Sequence, residues 1–401
     1  MKKFPMLSFE EALSRMEAAA EAPAGTETLD LAEAGGRVLA EDLRSPLFVP
    51  PHDNSGMDGY AVRCADVPAE GARLPVRQRI PAGSVGRPLE AGSAARIFTG
   101  APIPAGADAV VMQEDCEVDG DDVVVRRVPG AGDFIRHKGD DIRAGEIALP
   151  AGVRLGPAEI GQAASIGVAR VNVYRRLRVA VLSTGDELTE PGEPLPEGGI
   201  YNSNRYMLRS VIERMGCEVS DGGIVADTLD ATRKALRAAA AQHDLIVTSG
   251  GVSMGEEDHV KPAVEAEGEL RMWKIAVKPG KPLSFGRVAD AAFVGLPGNP
   301  VSALVTFLML VRPYVLRRSG VRDVAIAGTR LPAGFAWKTG PRREFLRVRV
   351  GADGRLERFA NQESSVLTSC VWADGLASVP ENTQVANGDP LLYIAFSDLL
   401  S

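Results

Sequence analysis

The stretch from Arg175 to Val311 constrains the fold of this 401-residue chain more than any other. Short apolar runs alternate there with helical segments. RVAVLS reads as a strand, and a helix follows around 205–215. EVSDGGIV is a second strand, and Asp230 is placed to cap a helix covering ATRKALRAAAAQ. DLIVTS and AFVGL are further strands. PVSALVTFLMLV opens a helix with Pro300 at its first position and Asn299 as a candidate cap. Strands alternating with helices predict a parallel sheet covered on both faces. In such a sheet, ligands bind outside the carboxyl ends of the strands. Each run here ends in polar residues: Thr184, Gly185, Asp186 and Glu187 after the first, Ala226-Asp227 after the second, then SGGVSMGEEDHVK and PGNP. One such end reads as a turn or a helix cap. Four at one edge point to a site.

The third of these loops carries the most chemistry. After Ser249, Gly250-Gly251 lets backbone approach a ligand closely, and successive amides suit a phosphate. Glu256, Glu257 and Asp258 would repel a bare phosphate. A divalent cation between them removes the conflict, since Mg²⁺ prefers one or two carboxylates together with phosphates and water. In KPGKP, Lys278 and Lys281 flank a glycine turn and suit an oxyanion as point charges, although a solvated surface turn has the same composition. Neither GxxxxGK[ST] nor GxGxxG occurs. Of the four histidines, only His259 lies beside the acidic loop, and no Ser-His-Asp arrangement can be argued. The Met and Leu run at 303–311 reads as core; it contains Thr306 and is too short to span a bilayer.

The length implies two to four domains. The textures divide the chain into a discontinuous α+β domain (1–45 plus 141–173), an inserted β-rich domain (46–140), the α/β domain (174–325) and a C-terminal β domain (326–401). At the start, Ser8 and Glu11 are spaced as a capping box, and no apolar signal-peptide core precedes them. Cys64, Cys116, Cys217 and Cys370 are far apart and form no CxxC, which fits a reducing cytoplasm. A net charge of −8 disfavours nucleic acid as a partner, and no membrane segment is expected. PHDNSGMDGYAVR opens the β-rich domain with turn formers, so Asp58 reads either as part of a turn or as part of a site.

DNSGMDGYAV, IFTGAPIP, GDDIRAGE, STGDEL, TSGGVSMGEEDHVK, KPGKPLSFG and GLPGNPVSA, in this order from Asp53 to Ala303, resemble the MoeA family, the molybdopterin molybdenumtransferases. That family includes the E domains of gephyrin and of the plant cofactor-synthesis protein. The resemblance implies four domains, an elongated homodimer and an α/β domain shared with MogA-type proteins. It also implies a chemistry in which molybdate joins the dithiolene of adenylylated molybdopterin, AMP is released and Mg²⁺ takes part. A MogA-type adenylyltransferase and molybdoenzyme maturation proteins are the implied partners.

Carried over by motif, Glu187, Asp227 and Asp258 are the acidic positions expected to hold Mg²⁺ and orient water. Thr184, Gly185, Ser249, Gly250, Gly251, Lys278, Lys281, Pro297 and Pro300 are the expected substrate contacts within the α/β domain. Asp58, Thr99 and Asp141 match functional positions outside it, and Arg342 and Ser364 resemble positions near the family's molybdate site. Glu363 and Ser365 stand where glycines are common, and His259 replaces an aromatic. Because Asp58 belongs to the β-rich domain, the family's dimer implies that it completes the site of a partner chain. Two other functions use related parts. An adenylyltransferase would resemble the α/β domain alone, and a gephyrin-like scaffold would carry an interaction linker and a second fused domain.

Overall fold

The computed structural model describes residues 6–21, 23, 25–251 and 259–400; the expected acidic position Asp258 lies outside them. The apolar runs assemble into one seven-stranded sheet in the order Met6–Leu7, Gly268–Ile275, Pro282–Val288, Ala291–Leu296, Leu245–Ser249, Arg178–Thr184, Glu218–Val225. Alternate residues point to opposite faces, and both faces are covered. Val179 and Val181 pack against Leu208, Ile212 and Val301 on one side. Ala180 and Leu182 pack against Leu236, Val260 and Val264 on the other. Burial on both faces is why these strands read as continuous apolar runs.

One strand departs from the expected parallel arrangement. Pro282–Val288 runs antiparallel to both its neighbours. It meets Ala291–Leu296 through the two residues Ala289 and Asp290, with Ala289 at φ 48°. A two-residue connection can only make a hairpin, because a parallel crossover needs a dozen residues or more.

The start of the chain also differs from the expected grouping. The capping box forms: Glu11 N–H donates to Ser8 Oγ (3.1 Å), and Ser8 N–H donates to Glu11 Oε2 (2.8 Å). Yet Met6–Leu7 pairs in parallel with Lys274–Ile275, and the helix Phe9–Ala18 buries Phe9, Ala12 and Met16 in the α/β core. The union of early and later segments begins only at Thr26–Asp30, which pairs with Arg170–Tyr174; Leu43–Arg44 then pairs with Ile147–Leu149. An amphipathic helix shows which of its faces is buried, but not which core receives it. A smaller correction concerns Asp230. The helix Leu229–Ala240 is capped by Thr228, whose Oγ1 accepts from Ala231 N–H (3.3 Å), and Asp230 stands in the first turn.

The helical run Pro300–Arg318 has the length and apolarity of a membrane span (mean hydropathy 1.3), but 89% of it is buried inside the protein, so its apolarity serves the core. The ladder widens to π geometry over Phe307–Val311. Pro313 follows, and it has no N–H to donate back into that turn.

The insertion forms a six-stranded sheet, Ala109–Met112, Gly59–Val62, Ala94–Ile97, Ala72–Ile80, Asp122–Val125, Cys116–Asp119, with its own core around Tyr60, Val62, Val111 and Val123. The C-terminal sheet is built on Arg343–Val350, Gly375–Val379, Pro390–Ala395 and Thr329–Pro332. Its outermost member is Val277–Lys278, a two-residue strand lent by the α/β domain. This pairing fixes the C-terminal domain beside the carboxyl edge of the main sheet.

Candidate functional site

Register aligns the strand ends. Ser249 is opposite both Ser183 and Leu296, and Thr184 is opposite Val225. The residues that leave this edge line an open cavity of about 820 Å³: Glu187, Gly250, Gly251, the turn Lys278–Pro282, Pro297, Gly298, Asn299 and Ser302. The C-terminal domain closes the far side with Trp337, Arg342, Gln362, Glu363, Ser364 and Ser365.

The loops of this edge are built around backbone that side chains would disrupt. Gly185, Gly250, Gly251 and Gly280 have φ of 141°, 91°, 63° and 107°. A Cβ on Gly251 would overlap Val260 and approach Thr184 Oγ1 to 2.9 Å, and one on Gly280 would overlap Thr306 Oγ1. Buried Asn204 ties two loops together, donating through Nδ2 to Gly298 O (2.6 Å) and Ser249 Oγ (2.7 Å). The two domains are joined where Val301 N–H donates to Ser364 O (3.0 Å) and Asn299 Nδ2 to Ser364 Oγ (3.0 Å). The loop that bears Ser364 is held from behind by Arg347, 1% exposed, whose Nη2 donates to Glu363 O (3.3 Å).

Lys278, Lys281 and Arg342 supply positive charge. Lys278 is the balanced one, with Nζ 3.3 Å from the buried Glu344 carboxylate, which also accepts from Trp337 Nε1 (3.0 Å). Arg342 Nη1 donates to Val277 O (3.4 Å). Backbone amides, hydroxyls and cations at one cavity wall suit a ligand with several anionic oxygens.

Of the residues singled out in the sequence, Glu187, Gly250, Gly251, Lys278, Lys281, Pro297, Arg342 and Ser364 meet at this cavity. Thr184 and Gly185 lie directly behind its glycine loop. Ser249 is buried below, and Pro300 begins the helix at its floor. Asp227 follows the strand Glu218–Val225 by two residues at the same edge and is not among the residues lining the cavity. Among the described residues, no three His, Cys, Asp or Glu side chains converge as a metal cage. Trp337, Gln362, Ser302, Asn204 and Glu344 were missed. Ser302 and Asn204 had a usable signal, as polar residues on the buried faces of helices. The others come together only through tertiary pairing.

Asp58, Thr99 and Asp141 lie elsewhere. Asp58 Oδ1 accepts from both the N–H and the hydroxyl of Thr99 (2.8 Å each), which holds the exposed carboxyl below its ordinary range. These two predicted residues thus form one unit in the inserted domain. Asp141 is exposed on the loop that returns from that domain, its N–H donating to Val49 O (3.0 Å). The four cysteines are free, and burial is the main cause that pushes each thiol up: Cys64 and Cys116 to about 11 and Cys217 to about 12. None is poised as a thiolate.

Known proteins place this arrangement. Residues 7–167 match the MoeA N-terminal region (domains I and II), residues 180–317 a probable molybdopterin binding domain, and residues 330–396 the MoeA C-terminal region (domain IV). The chain belongs to the MoeA family, the molybdopterin molybdenumtransferases. A molybdopterin molybdenumtransferase of Haemophilus influenzae is 45% identical over 323 residues, 79% of each chain. Molybdopterin molybdenumtransferase 2 of Mycobacterium tuberculosis is 38% identical over 91% of this chain and 93% of its own length. A crystal structure of the molybdopterin biosynthesis moeA protein from Pyrococcus horikoshii OT3 superposes over 98% of this chain and 100% of that one, with a TM-score of 0.85 at 27% identity.

Proposed function

We propose that this chain acts in molybdenum cofactor biosynthesis by joining molybdate to the dithiolene of adenylylated molybdopterin, with Mg²⁺-dependent release of AMP. The observation that carries this reading is the cavity itself, where the glycine loops and Lys281 of the α/β edge meet Arg342 of the C-terminal domain. The left-handed backbone at Gly250-Gly251 lets phosphate oxygens approach closely, and the cations suit an oxyanion. The raised thiols also support it, since the sulfurs that take the metal then belong to the pterin.

Glu187 is an exposed oxygen donor at the cavity. One cavity carboxylate of this kind suits an ion held by one or two carboxylates and completed by substrate and water, which is magnesium's habit. Asp227 and Asp258 are the further candidates. Such an ion, when bound, would offset charge on the phosphoanhydride. The chain's own residues bind the phosphates and orient the oxyanion against them.

None of the residues lining the cavity comes from the inserted domain, and Asp58 with Thr99 is exposed there. This supports a homodimer in which Asp58 faces the partner's cavity. The test of the main reading is AMP release from adenylylated molybdopterin with and without molybdate, for wild type and Arg342→Ala. Molybdate should stimulate release in the wild type and fail to do so in the variant. Release indifferent to molybdate in the wild type would refute the insertase reading. Adenylylation from Mg-ATP without molybdate would favour an adenylyltransferase.

A further inference from the structure

Glu344 lies beneath the cavity and has no part in the chemistry described so far. Its side chain is 8% exposed, whereas that of Lys278 above it is 44% exposed. The Lys278 ammonium is 3.3 and 3.5 Å from the two carboxylate oxygens, and Trp337 Nε1 donates to Oε2 at 3.0 Å. The contact is a product of the fold, because Val277–Lys278 pairs in parallel register with Arg343–Glu344. A buried carboxylate needs a countercharge, so Lys278 is held at the wall instead of roaming the cavity.

Charge balance gives this a consequence. Lys278, Lys281 and Arg342 face the cavity, but so do Glu187 and Glu363, and Glu344 stands behind Lys278. Among the described residues, three cations therefore meet three carboxylates. Carboxylates set beside these cations reduce bulk attraction for a tetrahedral dianion, so fit and hydrogen bonding decide what is held. Sulfate and phosphate, similar in charge to molybdate, are then captured weakly.

We infer that Glu344 is a positioning and charge-balancing residue: it pins Lys278 and offsets its charge, which restrains indiscriminate capture of tetrahedral dianions. This rests on the oxyanion reading of the cavity. In Glu344→Gln the shape is kept and one negative charge is lost, so molybdate and sulfate should each bind about tenfold more tightly at low ionic strength, with the gain fading as salt is added. Lys278→Met leaves Glu344 unbalanced and should weaken both. Lys278→Met/Glu344→Gln removes the stranded carboxylate as well and should bind both anions several-fold more tightly than Lys278→Met alone.

The measurement is calorimetric titration of the purified full chain with sodium molybdate and with sodium sulfate, and thermal unfolding checks each variant's fold. Unchanged affinity in Glu344→Gln, or a double variant no better than Lys278→Met, overturns the inference. Should Glu344→Gln not fold, Glu344→Asp withdraws the carboxylate by one methylene and should tighten both anions about threefold; no change there overturns it equally. Arg342→Ala and Lys281→Ala separate the two levels. If neither weakens molybdate, the oxyanion reading falls and this inference with it; if both do while Glu344→Gln is inert, only this inference falls.

Discussion

The two ends of the main sheet are both rich in charge, yet they are built in opposite ways. At the amino end, Arg37, Arg175, Arg176 and Arg178 line a hollow of about 540 Å³. These guanidiniums are already engaged. Arg175 grips Asp244 with two bonds of 2.8 Å, Arg178 adds its backbone N–H (2.9 Å) and its side chain, Arg37 pairs with Glu27, and Arg176 donates to Gly216 O (2.9 Å). At the carboxyl end, among the described residues, Lys281 and Arg342 have no carboxylate at ion-pairing distance, and the surrounding loops run through left-handed glycines. The difference shows that a cluster of arginines is a joint when its partners are built in, and a site when they are left for a ligand.

The strongest way to break this contrast is to delete one cation from each end. Arg342→Ala or Lys281→Ala should lower molybdate-dependent AMP release by about 100-fold with little change in melting temperature. Arg175→Ala should do the reverse, leaving turnover intact and lowering the melting temperature.

Asp244→Asn sharpens the same point. It leaves two guanidiniums without their carboxylate and should cost about 2 kcal/mol at neutral pH, read from urea midpoints. Its arginine partners hold Asp244 far below the ordinary carboxyl value of 3.8. A depressed carboxyl contributes fully above its unfolded pKa and loses that contribution as pH falls toward its folded one. The gap between wild type and variant should therefore be flat above about pH 5 and narrow only in stronger acid.

Smaller effects test the glycine loops and the second subunit. Gly251→Ala meets Val260 at a left-handed φ and should reduce activity about tenfold, whereas Gly216→Ala, left-handed at 85° but with room for a methyl group, should cost only about 1 kcal/mol of stability. Co-expression of Asp58→Asn with Arg342→Ala tests whether the inserted domain serves a partner's cavity. Random pairing would restore about a quarter of the sites, and no recovery from well-formed mixed dimers would refute a shared site.

The carboxyl edge was legible because strand ends leave a local signature, an apolar run broken by glycine, hydroxyl and carboxylate. Thr184, Gly250, Gly251 and Pro297 were found on that basis. Arg342 and Ser364 came from resemblance alone, since nothing in their spacing links them to a strand end. Glu344 was invisible, because it meets Lys278 through a two-residue strand pairing that leaves no pattern in either segment. The antiparallel strand was missed for a local reason: Ala289-Asp290 is not a glycine turn, and its left-handed alanine has no signature in the sequence.

The placement of Met6–Leu7 has a consequence for how the chain is made. The strand's partner, Lys274–Ile275, lies some 270 residues downstream. At the usual 5–20 residues per second, the ribosome delivers that partner roughly 15–50 s later. Throughout that interval Phe9, Ala12 and Met16 have no core to enter. This helix thus has an apolar flank that waits for segments made some 270 residues later, and translation pauses before residue 275 would lengthen its exposure to aggregation.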